Sequence, residues 1–253
     1  MKAVKVIKIG GKIIDQEGKL DSFLKDFADI KGPKILVHGG GSIATKIGDK
    51  VGVQARMIDG RRVTDKETLD VITMVYGGLV NKKIVAKLQK LGVNAAGLSG
   101  ADFNLITAKK RKPEPIDFGW AGDIEKINAK QLMGFLEDDI VPVIAPLTHD
   151  GNGNLLNTNA DAIASCTAAA MAEFLEVELV FCFEQQGVMN NGNLITEMNL
   201  LLYRHLRDTG IITDGMIPKL DLGFEAKTKG VRKVSIRNSD ALKTRTTGTE
   251  LVL

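Results

Sequence analysis

Apolar and polar residues follow two patterns along this chain, and together they predict strands and helices in alternation. Short apolar runs, each a candidate buried strand, lie at 4–9, 34–38, 94–98, 140–145, 178–183 and 231–236. Apolar residues at helical spacing follow several of these runs, for example over 20–30 and 43–51. This alternation predicts an α/β fold with a mostly parallel sheet covered on both faces, in which ligands bind beyond the carboxyl ends of the strands.

Two of the predicted strands end in glycines. Lys8 and Ile9 precede Gly10 and Gly11, and His38 precedes the three glycines at 39–41. Adjacent glycines can adopt positive φ and approach a ligand closely, and the helix predicted after the second turn would add its N-terminal dipole. We therefore expect an anion, such as a phosphate, between two turns on one sheet edge. For His38, a bond to the backbone is a simpler explanation than a ligand contact.

A long helix is predicted to follow residue 64. Thr64 and Glu67 have the spacing of a capping box, and apolar residues at helical intervals extend from 69 to 91. The pair Gly77-Gly78 in the middle predicts a kink or a close helix contact, including one across a dimer.

Several polar residues lack a simple structural explanation. We expect one of the paired arginines at 61 and 62 to hold a carboxylate, because a guanidinium matches a carboxylate with two parallel bonds. Asn159 suffices to cap the helix predicted after it, which leaves Asn157 and Asp161 unexplained. Lys219 falls in the first turn of another predicted helix, where the dipole disfavours a positive charge. Such a lysine is expected where an anion is bound.

Composition mainly excludes alternatives. The 253 residues, 44% hydrophobic and 26% charged, suit one folded body with two lobes. A net charge of +3, from 34 basic and 31 acidic residues, gives no reason to expect nucleic acid or a membrane as partner. The two cysteines and three separated histidines form no zinc-binding pattern, and we expect reduced thiols. Without a signal-peptide pattern or a membrane-spanning run, the cytoplasm is the expected location.

Five motifs occur in a characteristic order: KIGG at 8–11, HGGG at 38–41, RRVT at 61–64, NTNAD at 157–161 and GIITDGMIPK at 210–219, with GTELV near the end. In this order they resemble the amino acid kinase family over nearly the whole chain. The resemblance implies an open three-layer αβα sandwich. Residues 1–157 would form a lobe for the acylated amino acid and for dimerisation, and residues 158–253 a lobe for ATP, with one shared sheet.

The resemblance also implies an activity. It is the ATP-dependent phosphorylation of the side-chain carboxylate of N-acetyl-L-glutamate, or of a related N-acyl-glutamate such as N-succinyl-glutamate, in arginine biosynthesis. ATP would be the co-substrate with Mg²⁺, and the protein would be a homodimer. No metal-binding residues of its own are expected.

Residue roles follow from the resemblance, motif by motif. Lys8 and Lys219 would stabilise the transferring phosphoryl group, and Asp161 would orient both lysines. Gly40 and Gly41 would contact the substrate, and Arg62 and Asn157 would hold its α-carboxylate. The nucleotide contacts would come from Gly10, Gly11, Glu184, Gly187 and Thr213.

The chain departs from the family pattern at two turns. The segment 183–187 replaces a Ser/Thr-Asp-Val turn, and the segment 99–102 lacks a lysine often found there. Either change could accompany an acyl group larger than acetyl. Two alternatives stay open: a kinase of the same family that acts on another acid or on a nucleoside monophosphate, and a module that binds ATP or an amino acid without catalysis.

Overall fold

An eight-stranded sheet forms the centre of the computed structural model, which describes residues 3–213, 215–242 and 248–253. In chain order the strands are β1 (Val4–Ile9), β2 (Lys34–His38), β3 (Arg56–Ile58), β4 (Arg61–Val63), β5 (Ala95–Leu98), β6 (Ile106–Lys110), β7 (Gly122–Ile127), β8 (Val141–Ile144), β9 (Leu147–His149), β10 (Leu155–Asn157), β11 (Val177–Phe183), β12 (Met189–Asn190), β13 (Asn193–Leu194), β14 (Glu197–Met198), β15 (Lys233–Asn238) and β16 (Thr249–Leu251).

The helices alternate with these strands, as the apolar spacing predicts. They are α1 (Gly11–Ile14), α2 (Glu17–Asp29), α3 (Gly41–Lys50), α4 (Lys66–Ile72), α5 (Asn81–Lys90), α6 (Ala129–Glu137), α7 (Ala160–Ala172), α8 (Leu200–Asp208) and α9 (Ile217–Thr228). A π-helix, Thr73–Val80, connects α4 with α5. Of the helices in the described ranges, none has the length and apolar content needed to cross a bilayer.

The central sheet is mostly parallel. Its spatial order is β14-β16-β15-β11-β1-β2-β8-β5. Pairing is parallel from β15 to β5, whereas β16 pairs antiparallel with β15 and parallel with β14. The strand predicted at 231–236 corresponds to β15, and β16 and β14 extend the sheet beyond it. Residues 248–252, which contain β16, are β-like in sequence, whereas β14, with two residues, is too short to show a period.

Helices cover the two faces of this sheet and form two apolar cores. On one face, α6, α7, α8 and α9 bury residues such as Leu132, Ile163 and Phe224 against β1, β2, β11 and β15. On the other face, α2, α4 and α5 bury residues such as Phe23 and Ile84. The expected open three-layer αβα sandwich is therefore confirmed.

A second, smaller sheet lies beside the first, in the order β10-β9-β6-β7. Its strands β6 and β7 pair antiparallel. Strand β10 ends at Asn157, immediately before α7. The small sheet thus brings Asn157 towards the edge at which β1 and β2 end.

The long helix after residue 64 begins one residue later than expected and contains an irregularity in its middle. The capping box of Thr64 with Glu67 is wrong: Asp65 is the N-cap of α4, and its carboxylate accepts a hydrogen bond from the Thr68 amide at 2.8 Å. Thr64 instead donates its amide to the Phe118 carbonyl. The expected irregularity at Gly77-Gly78 is present as the π-helix.

Candidate active site

The two glycine turns lie side by side at one edge of the central sheet. Strand β1 pairs in parallel with β2 on one side and with β11 on the other, so the three strands end together. The Gly10 amide donates to the Cys182 carbonyl at 3.0 Å. A methyl group built on Gly39 would lie only 3.5 Å from the Gly11 nitrogen. The expectation that both turns share an edge is confirmed.

The two turns use glycine for different reasons. The expected positive φ is wrong for the first turn, since Gly10 has φ −73° and Gly11 is the first residue of α1. A side chain on Gly11 would instead point towards the second glycine turn, which lies close against the first. Gly40 does have a positive φ, +154°, and a methyl group on it would lie 3.1 Å from the Tyr76 ring.

Two lysines from opposite ends of the chain share one carboxylate. Lys8 Nζ lies 2.7 Å from Asp161 Oδ1, as a short ion pair. Lys219 Nζ lies 3.3 Å from Asp161 Oδ2. The side chains of Lys8 and Asp161 are 9% and 8% exposed, and that of Lys219 is 20% exposed. The cluster is thus buried from one side and open on the side of Lys219.

Helix α7 places Asp161 at this position. Its N-cap Asn159 accepts hydrogen bonds from the Asp161 and Ala162 amides at 2.7 and 3.1 Å, which confirms the predicted cap. Burial alone would raise the pKa of the Asp161 carboxyl, but the charges of Lys8 and Lys219 outweigh burial and lower this pKa below its usual range. Asp161 is therefore ionised at neutral pH.

Lys219 reaches the cluster from the first turn of α9. Its Nζ also donates to the Gly215 carbonyl at 3.1 Å, which ties the segment before α9 to the cluster. The unfavourable charge at a helix N-terminus is offset here by Asp161. Asp214, which belongs to the GIITDGMIPK motif at 210–219, lies outside the described residues.

Arg62 and Asn157 lie on either side of Thr64. Arg62 Nη2 donates to the Gly41 carbonyl at 2.9 Å and to Thr45 Oγ1 at 2.7 Å. Asn157 Nδ2 donates to Thr64 Oγ1 at 2.9 Å, and this hydroxyl donates to the Arg62 carbonyl at 3.3 Å. The structure thus brings Arg62 and Asn157 together beside the second glycine turn. The sequence shows Thr64 only as a possible cap and gives no sign of this linking role.

The residues predicted to contact the nucleotide lie in different surroundings, and they are not all at the glycine turns. Glu184 follows β11 beside the first turn, and its carboxylate pairs with Lys12 of α1 at 3.1 Å. Gly187 is buried where a methyl group would lie 2.7 Å from Thr249 Oγ1, so packing alone requires a glycine. Thr213 is exposed before α9. Among the described residues, no hydrogen bond or ion pair joins Gly187 or Thr213 directly to the two lysines or Asp161.

Three buried side chains lie on the interior side of the second glycine turn: Tyr76, His38 and Asn81. The ring of Tyr76 lies against Gly40; burial raises the pKa of its hydroxyl, and the neighbouring charge of Arg62 opposes the shift. His38 is fully buried, with Nδ1 2.7 Å from the Gly39 carbonyl oxygen and Nε2 3.1 Å from Asn81 Nδ2. Burial lowers the pKa of His38 to about 4. The prediction that His38 bonds to the backbone is confirmed, whereas nothing in the sequence pointed to a contact of Asn81 with His38 or of Tyr76 with this turn.

Within the described residues, no three His, Cys, Asp or Glu side chains come close enough together to hold a metal ion. The charged groups at the sheet edge are instead two ammonium groups around one carboxylate, next to amide-lined glycine turns. Cationic and N–H donors of this kind bind phosphate oxygens. Fold and cluster together define a class, the α/β proteins that bind a phosphorylated ligand at the carboxyl edge of a parallel sheet.

The chain belongs to the amino acid kinase family, whose sequence profile matches residues 3–238. It is 51% identical over 242 residues to an acetylglutamate kinase of Bacteroides thetaiotaomicron, with 94% of each chain covered. It is 49% identical over 262 aligned residues to an acetylglutamate kinase of Cytophaga hutchinsonii, with 100% of this chain and 99% of the relative covered.

A solved structure agrees with this assignment. The crystal structure of smu.665 from Streptococcus mutans superposes with a TM-score of 0.84 at 30% identity. The superposition covers 100% of this chain and 99% of that chain. The family implied by the five sequence motifs is therefore confirmed.

Proposed function

We propose that this protein is an ATP-dependent kinase that phosphorylates the side-chain carboxylate of N-acetyl-L-glutamate, or of a related N-acyl-glutamate such as N-succinyl-glutamate, in arginine biosynthesis. The observation that carries the proposal is the shared ion pairing of Lys8 and Lys219 with Asp161 beside the two glycine turns. Identity near one half with acetylglutamate kinases, over nearly full length, supports the choice of substrate.

The reaction needs no protein nucleophile and no general base. A glutamate side chain has a pKa of about 4.3, so its carboxylate is ionised at neutral pH. One carboxylate oxygen attacks the γ-phosphorus of ATP and forms the new P–O bond. The bond from that phosphorus to the β,γ-bridging oxygen breaks, and ADP leaves with the electron pair. The protein has to hold two anions together and to stabilise the charge on the phosphoryl oxygens.

Lys8 and Lys219 supply positive charge for this task. Each ammonium has three N–H donors, and Asp161 engages the two lysines through separate carboxylate oxygens. Donors therefore remain for phosphoryl oxygens. Without Asp161, two ammonium groups would repel each other in a largely buried place, so we assign Asp161 the role of holding both.

The substrate carboxylates are assigned to the second turn. We propose that the Gly40 and Gly41 amides contact the acceptor and that Arg62 and Asn157 hold its α-carboxylate. Arg62 Nη2 donates to Gly41 and Thr45. A guanidinium has five N–H donors, so others remain for a ligand. The Thr64 hydroxyl links the Asn157 side chain to the Arg62 backbone, which holds the two residues next to each other.

The nucleotide is assigned to the carboxyl-terminal part of the chain. In this proposal residues 1–157 bind the acyl-amino acid and residues 158–253 bind ATP, which carries Mg²⁺ with it. Gly10 and Gly11 would contact its phosphates, and Glu184, Gly187 and Thr213 remain predicted nucleotide contacts. Glu184 has the clearest structural support, because its turn lies beside Gly10 and Gly11.

We also propose that the protein works in the cytoplasm as a homodimer. Cys166 and Cys182 are both free, as expected of a protein from a reducing compartment. The exposed apolar residues Met74 and Leu79 of the π-helix support a subunit interface.

The proposal is tested by ADP release from ATP and Mg²⁺ with four acids side by side: N-acetylglutamate, N-succinylglutamate, glutamate and aspartate. We expect turnover with one or both of the acylated glutamates and little with the free amino acids. Turnover with free glutamate or aspartate alone would identify a kinase for another acid. No turnover with any of them, together with ATP binding by calorimetry, would favour a module without catalysis.

A further inference from the structure

We propose that His38 and Asn81 are positioning residues that fix the direction of the Gly40 amide. Asn81 sets the tautomer of His38, and His38 anchors the peptide between Gly39 and Gly40. The inference rests on the proposed function, since it assigns the Gly40 amide as a donor to the acceptor substrate or to the phosphoryl group.

The hydrogen bonds define a single direction of donation. Asn81 Nδ2 lies 2.9 Å from the Val143 carbonyl oxygen, which can only accept, so this atom is the amide nitrogen. The same nitrogen lies 3.1 Å from His38 Nε2. Because Nε2 accepts from Asn81, the proton of the neutral imidazole is on Nδ1. From there it is donated to the Gly39 carbonyl at 2.7 Å.

The surroundings keep this arrangement intact. His38 and Asn81 are 0% and 1% exposed, so water does not compete for their bonds. Burial lowers the pKa of His38 to about 4, and the ring is neutral near pH 7. Turning the Asn81 amide over would aim its oxygen at the Val143 carbonyl, which is unfavourable. The tautomer is therefore fixed by the protein and is independent of any ligand.

The direction of the Gly39 carbonyl determines the direction of the next amide. In a trans peptide the C=O and N–H groups point to opposite sides, so the Gly40 N–H points away from His38. The Gly40 and Gly41 nitrogens lie 3.9 and 4.0 Å from a methyl group built on Gly11. Both amides thus line the gap between the two glycine turns, where the proposed reaction takes place.

Such an anchor is needed because the turn is unusually free to rearrange. Residues 39–41 are all glycine, and glycine has nearly equal access to both signs of φ. A flip of the peptide between Gly39 and Gly40 would therefore meet little steric resistance. Gly40 already has φ +154°. The buried bond from His38 is the contact that distinguishes the two orientations of this peptide.

The first test compares two substitutions of His38. In His38→Asn the side-chain amide can place a donor near the former Nδ1, whereas His38→Leu has no donor. Removing one preorganised donor typically lowers kcat about 10²–10³-fold. We expect His38→Leu to lose kcat by about 10²-fold with a smaller change in the KM for ATP, and His38→Asn to recover at least a tenth of the wild-type kcat. Thermal unfolding is measured on both variants.

The second test reads the tautomer directly by ¹⁵N NMR of the imidazole nitrogens, and the chain has only three histidines to assign. We expect wild-type His38 to be the neutral Nδ1–H form from pH 5 to 8. We expect Asn81→Asp to lose this form, because a carboxylate accepts from Nε2 instead of donating to it, and to lose kcat with it.

The outcomes separate this inference from the proposed function. An Nε2–H tautomer in the wild type, or a folded His38→Leu variant with wild-type kcat, would overturn the inference. Equal loss in His38→Leu and a folded His38→Asn would do the same. If the wild type turns over none of the four acids, the proposed function fails, and the NMR result then still decides whether His38 and Asn81 hold the peptide as inferred.

Discussion

A single buried carboxylate organises the charges of this site. Asp161 is 8% exposed and contacts two lysines, one from β1 and one from α9, through separate oxygens. The sequence singled out Asp161, which the helix cap left unexplained, and Lys219, which the helix dipole disfavours. It singled out Lys8 as a charge beside the first glycine turn. The pairing of both lysines with Asp161 could be anticipated only through the family resemblance, because Lys8 and Lys219 belong to elements that meet only in the folded chain.

The first prediction concerns the pH dependence of this ion pairing. The folded pKa of Asp161 is lowered, so its contribution to stability is complete above the unfolded pKa of about 3.9 and is lost as the pH falls through the folded value. Asp161→Asn leaves two ammonium groups unpaired, and breaking a buried pair costs about 3–5 kcal/mol. The lower end applies because Lys219 reaches solvent. We expect a deficit of about 3 kcal/mol at pH 7 that shrinks below pH 4.

Urea unfolding at a series of pH values measures this effect. Asp70→Asn, which alters an exposed carboxylate of α4, is the matched control and should change the free energy of unfolding by less than about 0.5 kcal/mol. A constant deficit for Asp161→Asn from pH 7 to pH 3 would contradict the assignment of its charge.

At the level of elements, much of the fold was predictable because periodicity and caps are local signals. Asn159 caps α7 as expected, and Asn128 caps α6 in the same way. The error at Thr64 arose because two adjacent residues, Thr64 and Asp65, are both good caps, and only pairing with Phe118 and Asn157 decides between them. The edge strand β14 was beyond prediction for a different reason, since two residues do not define a period, whereas residues 248–252, which contain β16, are β-like in sequence.

The second prediction uses the two caps as a matched pair. Asn128→Ala and Asn159→Ala should each lower the free energy of unfolding by about 1 kcal/mol, because each leaves helix amides without a partner. Only Asn159 bonds to the amide of Asp161, so only Asn159→Ala should also lower kcat, by several-fold. Thermal unfolding and ADP release on both variants provide the comparison. Equal kcat values would show that the cap does not position Asp161.

At the level of the whole molecule, one continuous sheet joins the two proposed lobes. Strands β1 and β11 are neighbours in space although they lie far apart in sequence, and the site forms where they end. Strand order could be anticipated only through the family resemblance, because apolar runs do not specify their neighbours. The His38–Asn81–Val143 contacts were likewise invisible, since they connect three separate elements.

The third prediction tests the proposed homodimer. In a π-helix the backbone bonds join residues i and i+5, which brings Met74 and Leu79 to the same side. They are 59% and 38% exposed. A charge there should weaken a subunit interface, so we expect Met74→Asp to shift a dimer towards a monomer in light scattering. Leu201→Asp on α8, at a residue that is 76% exposed, is the control and should leave the mass unchanged. A wild-type monomer would contradict the proposal.

The central claim is that Lys8 acts on the phosphoryl group during transfer. Its most direct test is the measurement, on the Lys8→Ala variant, of kcat with N-acetylglutamate together with the Kd for ATP. Lys5→Ala is the control, because Lys5 lies in the same strand but pairs with Glu178 and not with Asp161. We expect Lys8→Ala to lose kcat by about 10²–10³-fold with ATP affinity within a few-fold of the wild type. Unchanged turnover in Lys8→Ala would contradict this claim.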